Sequence, residues 1–113
     1  MLQSHVVRLI QKRYNEPGAK NMLLFEWDPN KAKRNLEIHG ISFDEASTAF
    51  RDTLSLTIHD PLHSDEEDRL ILIGNSARNR LLVVVHTERG ENIRIISARK
   101  ATKKERKQYE ENA

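Results

Sequence analysis

The chain's 113 residues are 37% hydrophobic and 32% charged, a balance that gives one globular domain around a single core and excludes a disordered chain; no apolar run reaches the roughly 20 residues that a membrane span needs. There is no cysteine, which excludes disulfides and thiolate metal sites and leaves the cytoplasm as the expected compartment. The net charge of +2 sums unlike parts: 94–113 carries Arg94, Arg99, Lys100, Lys103, Lys104, Arg106 and Lys107 against three glutamates, while HSDEED at 63–68 is the acidic extreme.

Residues 1–21 read as a leader, either a short amphipathic helix over HVVRLIQKRY or an extension without fixed structure, and 22–113 as the folded domain. LLFEW (23–27) reads as a strand. DPNKAKRNLEIHG follows as a helix: Asp28 caps its first N–H groups, Pro29 suits the first position, and Gly40 closes the end. Ala32, Leu36 and His39 recur at helical spacing, which assigns them to the inner face. Ser42 and Glu45 make a capping box for a second helix with Phe43, Ala46, Ala49 and Phe50 as its apolar stripe.

From residue 54 the period becomes two. LSLTIHD (54–60), RLILIGNS (69–76), RLLVVVHTE (80–88) and NIRIISA (92–98) are strand candidates rich in Ile, Val, Leu and Thr. ERGE is short enough for a hairpin turn, so the last two strands should be antiparallel neighbours; LLVVV, apolar on both faces, marks a covered central strand. Thr102 and Glu105 form another capping box and open a final helix. The order β-α-α-β-β-β-β-α gives an α+β class, a compact antiparallel sheet flanked by two N-terminal helices and one C-terminal helix.

The chemistry-bearing residues collect on the strands and the last helix. His86, at the end of the most apolar strand, is either a general base or acid near neutral pH or a half-buried, hydrogen-bonded strand-end histidine. Arg69, Arg80, Arg94 and Arg99 lie within or beside strands. Their guanidinium forks suit a phosphate and the extra charge of a pentacoordinate phosphoryl transition state; the alternative is that they guard edges or pair with the acidic 63–68 loop. A two-residue turn in the last hairpin points Arg94 away from His86, and a three-residue loop reverses that. Lys103 and Arg106 run down one side of the last helix. Tyr109 either packs its ring on the sheet, stacks on an unpaired base or joins a proton relay. His59, Asp60, His63 and Asp65 match no ligand spacing, so no metal site is expected, and there is no phosphate-cradling glycine loop.

Together FEWDPNKAKRNLEIHGISFDEA and LLVVVHTERGENIRIISARKATKKERKQYEE resemble the BrnT family of bacterial type II toxins, the ribonuclease halves of BrnT–BrnA toxin–antitoxin pairs, over 22–111. The resemblance implies a RelE-like fold, cleavage of RNA that inhibits translation, and no metal or organic cofactor. It also implies a BrnA-like antitoxin with a ribbon-helix-helix domain, through which alone operator DNA would be bound. It puts Arg69, Arg80, His86, Arg94, Arg99, Arg106 and Tyr109 at the family's recurring polar positions. The assignment that follows is Arg69, His86, Arg99 and Tyr109 for catalysis, and Arg80, Arg94, Lys103 and Arg106 for the RNA backbone. A non-catalytic basic binding module is the alternative function.

Overall fold

The longest apolar run becomes the middle of the sheet. In the computed structural model, which describes residues 11–12, 22–60 and 68–112, strand β5 (Leu81–Arg89) lies between β4 (Leu70–Asn75) and β6 (Asn92–Lys100), antiparallel to both. Its Leu81, Leu82, Val83 and Val84 are all buried, as a run apolar on both faces requires. β3 (Leu56–His59) adds to β4 antiparallel at one edge. At the other, β2 (Met22–Glu26) pairs with β6 in parallel, and β1 (Gln11–Lys12) pairs with β2. The α+β class and element order hold, but the sheet is mixed, because β2 runs parallel to the last strand, β6. The remainder of the expected leader, with the helix proposed for it, falls outside the described residues.

Two layers cover the sheet unequally. Helices α1 (Pro29–His39) and α2 (Phe43–Thr48), with the 3-10 turn Ala49–Arg51, close the main core, where Phe25, Trp27, Ile41, Phe43, Leu82, Val84 and Ile95 meet. The opposite face has a smaller cluster of Ile73, Leu81 and Val83 under Tyr109 of α3 (Lys103–Asn112). Gly74 sits where the 3-10 turn presses on β4; a Cβ there would come within 2.9 Å of the Ala49 carbonyl oxygen.

The helix boundaries follow the expected signals. Asp28 accepts from the Asn30 N–H, Gly40 takes the left-handed conformation at φ 72°, and Ser42 Oγ accepts from the Glu45 N–H. The inner face of α1 differs from expectation: Leu36 is 51% exposed and His39 is exposed, whereas Asn35 is buried at 7%. The reason lies on β6. β2 accompanies that strand only from Asn92 to Arg94, so at Ala98 its outer edge has no strand beside it. The Asn35 side chain takes the strand's place: Nδ2 donates to the Ala98 carbonyl at 2.8 Å, and Oδ1 accepts from the Ala98 N–H at 3.1 Å. The same Nδ2 also donates to the Ile41 carbonyl at 2.9 Å.

One irregularity decides which side chains share a face. Val85 pairs with Ser97 but His86 with Ile95, so Ile96 is an extra residue in β6, a β-bulge. Strict alternation would send Arg94 and Arg99, five positions apart, to opposite faces. The extra residue returns them to the same one.

Candidate functional site

The hairpin between β5 and β6 turns through Gly90 and Glu91, with Arg89 opposite Asn92 and Thr87 opposite Arg94. This is the even outcome of the parity question: Arg94 faces the α3 side and His86 the other. Glu26, between the core residues Phe25 and Trp27, also projects to the α3 side, beside Arg94 on the next strand. Arg94 Nη1 donates to Glu26 Oε2 at 3.0 Å, Asn92 Nδ2 donates to Oε1 at 3.0 Å, and Arg89 Nη1 lies 3.8 Å from Oε2.

Further along β6, Arg99 donates both Nη groups to Glu105 of α3, each at 2.8 Å. Glu105 also accepts from the Thr102 N–H at 2.9 Å, completing the capping box. The Arg99 guanidinium, helped by that N–H, holds the Glu105 carboxyl at about 2, far below the usual range. Tyr109 anchors the same helix. Its hydroxyl donates to Asp52 Oδ2 at 2.7 Å and accepts from Asn75 Nδ2 at 3.3 Å; burial and the Asp52 carboxylate push its pKa up. Lys103 and Arg106 stand exposed on α3.

Arg80 and His86 do not join this face. Arg80, at the β4–β5 turn, gives Nε to Glu45 Oε2 at 2.9 Å and Nη2 to Oε1, and Glu45 is buried on α2. That pairing holds the Glu45 carboxyl below its ordinary value, with Ser76 as a further donor. His86 is 3% exposed on the helix-covered face, its ring edge-on to Phe50 at 4.8 Å and its Nδ1 3.2 Å from the Val84 carbonyl. Arg69 is half-buried just before β4, its carbonyl accepting from the Asp60 N–H at 2.9 Å. His59 is exposed and Asp60 buried, His63 and Asp65 lie outside the described residues, and no three described His, Cys, Asp or Glu side chains group as cation ligands.

Three residues of the α3 face were not singled out from sequence: Glu26, Arg89 and Asn92. A signal for Glu26 exists, since it is the only charged side chain in LLFEW. Arg89 and Asn92 read as turn residues, because only the register reveals that they flank Glu26.

Burial lowers the pKa of His86 more than its Val84 and Glu88 neighbours raise it, so the fold favours the neutral ring. The stability this contributes is complete above the unfolded value of about 6.5 and is lost as pH falls below it. Urea titrations at pH 7.5 and 5.5 are therefore expected to show a larger drop for the wild type than for His86→Leu. Equal drops would remove His86 as the source.

The model of the family described as "Ribonuclease toxin, BrnT, of type II toxin-antitoxin system" matches residues 27–105. The chain belongs to the BrnT family. Membership brings an RNA substrate and an antitoxin partner with it. The crystal structure of the Brucella abortus ribonuclease toxin BrnT has the same α+β fold, at 24% identity and a TM-score of 0.50, over 68% of this chain and 94% of that one. No curated protein matches. Among the described residues of this BrnT-family chain no helix is long and apolar enough to cross a membrane.

Proposed function

We propose that this ribonuclease toxin is a metal-independent endoribonuclease that cuts single-stranded RNA on the α3 face of its sheet and so inhibits translation in the cytoplasm. The substrate's 2′-oxygen bonds to the adjacent phosphorus while the bond from phosphorus to the 5′-oxygen breaks. The products are a 2′,3′-cyclic phosphate and a 5′-hydroxyl; solvent takes the 2′ proton and supplies one to the leaving oxygen. A single strand suits this reaction because its backbone can reach in-line geometry. A ribbon-helix-helix antitoxin neutralises the toxin by covering the same basic face, and operator DNA is met only through that antitoxin.

The observation that carries this reading is the bulge at Ile96, which brings Arg94 and Arg99 onto one face. Arg99 engages Glu105 and the Lys100 carbonyl with three of its N–H groups, and a guanidinium has five. The other two are open to a phosphoryl oxygen, where a fixed charge stabilises what develops in the transition state. Lys103 and Arg106 extend the positive surface along α3, and Arg69 and Tyr109 border it. His86 has no part in this proposal, since it faces the other way.

A non-catalytic binding surface is the second reading, favoured by the carboxylates that Arg80, Arg94 and Arg99 hold. Incubating the purified protein with single-stranded RNA in EDTA separates the two. The enzyme yields shorter fragments ending in cyclic phosphate; intact RNA, with or without added magnesium, leaves only the binding surface. Cleavage that appears only with magnesium would end the claim of metal independence.

A further inference from the structure

Glu26 holds more positive charge than its own burial requires. Its side chain is 9% exposed, and a carboxylate removed from water in this way needs a cationic or hydrogen-bonding partner. Arg94 and Asn92 already supply both. Yet Arg89 also converges on Oε2, the oxygen that Arg94 holds, so two like charges are drawn to one acceptor. The three side chains Glu26, Arg89 and Arg94 sum to +1, and Arg89, with its side chain 55% exposed at the end of β5, is the one that faces solvent. Two forks side by side on one shared carboxylate have the chemistry of an anion seat: the fixed charge sets their positions, and a second anion in front relieves their repulsion.

We infer that Arg89 and Arg94, held together by Glu26, form a seat for a backbone phosphate of the RNA strand, separate from Arg99. Arg94 is its half-buried member and Arg89 its more accessible one. Arg94 and Arg99 are five positions apart on β6, roughly 15 Å at the rise of a strand. A single strand lying along β6 therefore meets Arg99 at one phosphate and the seat at another further on. Arg89 makes the contact, and Glu26 is a positioning residue. The inference rests on the RNA-cleaving reading and names where that substrate is gripped away from the reacting bond.

The test is binding of a 2′-O-methyl oligoribonucleotide, which cannot be cut, followed by fluorescence anisotropy over a series of salt concentrations below the melting temperature of each variant. Arg89→Ala is expected to weaken binding about tenfold, as loss of a charge-assisted contact does. The slope of log affinity against log salt should become shallower by about 0.7, the value of one phosphate contact on a single strand. Arg78→Ala removes the same charge at the opposite end of β5 and should cost less than about twofold. Glu26→Gln removes a negative charge, so long-range attraction alone would tighten binding; the seat requires weaker binding.

Unchanged affinity and slope in Arg89→Ala would overturn the seat, as would equal losses in Arg78→Ala and Arg89→Ala. Tighter binding by Glu26→Gln would overturn the positioning role. If Arg89→Ala weakens capture of the antitoxin and leaves RNA binding intact, the ligand is a protein carboxylate and the inference is wrong. Failure of the wild type itself to bind or cut RNA is a different result, and it defeats the cleavage reading.

Discussion

Arg99→Ala is expected to slow single-turnover cleavage of RNA by about 10²–10³-fold, the cost of removing one preorganised charge from a developing oxyanion, about 2.7–4 kcal/mol. The fold should survive the change. Arg99 and Glu105 are partly solvated, and such pairs contribute about 1 kcal/mol or less to stability. Glu105 also keeps its place at the start of α3 through the Thr102 N–H. Arg99→Lys restores the charge without the planar fork and should recover only a small part of the rate. Cleavage by Arg99→Ala at the wild-type rate, in a protein whose melting curve is unchanged, would remove Arg99 from the mechanism.

The second large effect is on stability. Asn35→Ala is expected to destabilise the domain by about 3 kcal/mol, because it leaves the Ala98 N–H and carbonyl and the Ile41 carbonyl without the partner they share. Each stranded buried polar group costs about 1–3 kcal/mol, and carbonyls tolerate the loss better than N–H groups. For a domain of this size, 3 kcal/mol corresponds to a fall in melting temperature of roughly 10–20 °C. Asn35→Asp offers an acceptor to the Ala98 N–H and no donor to either carbonyl, so it should not rescue. Urea unfolding that puts Asn35→Ala within 1 kcal/mol of wild type would show that water replaces the amide.

The contrast between these residues explains what can be read from such a chain. Helix ends are written locally: Asp28, Gly40, Ser42 and Thr102 act within a few positions of where they stand, and each does what its residue type suggests. The four later strands are likewise legible, since alternation and β-branching are local properties. Pairing across the chain is not. Nothing near LLFEW announces that it will run parallel to 92–94. Helical spacing preferred Leu36 for the inside of α1 because apolar residues usually go there. The need that Asn35 meets arises 63 positions later in sequence.

The site follows the same division. Arg94 and Arg99 are recognisable as residues suited to phosphate, but their sharing a face depends on one extra residue in β6 that no local signal marks. His86 was attractive for its chemistry and for closing an apolar strand. It is buried for that same reason, since the alternation carrying Leu82 and Val84 into the core carries His86 with them, beneath Phe50. Arg80 is expected from sequence to hold the RNA backbone, guard an edge or pair with the acidic 63–68 loop, because its actual partner, Glu45, reads as part of a capping box. The Glu45 backbone serves the cap while its carboxylate turns to Arg80.

The parallel pairing of β2 with β6 has a temporal consequence. Glu26 and Arg94 are separated by 68 positions, so a chain emerging from a ribosome offers β2 no neighbour on that side until the residues up to Arg94 are outside. Closing so long a loop carries an entropic penalty that only the finished hairpin offsets. Nascent chains released before residue 92 therefore hold Glu26 and its helices without the segment that pairs with β2. Chains cut short there also lack Arg94 and Arg99, the two cations that the bulge places on one face.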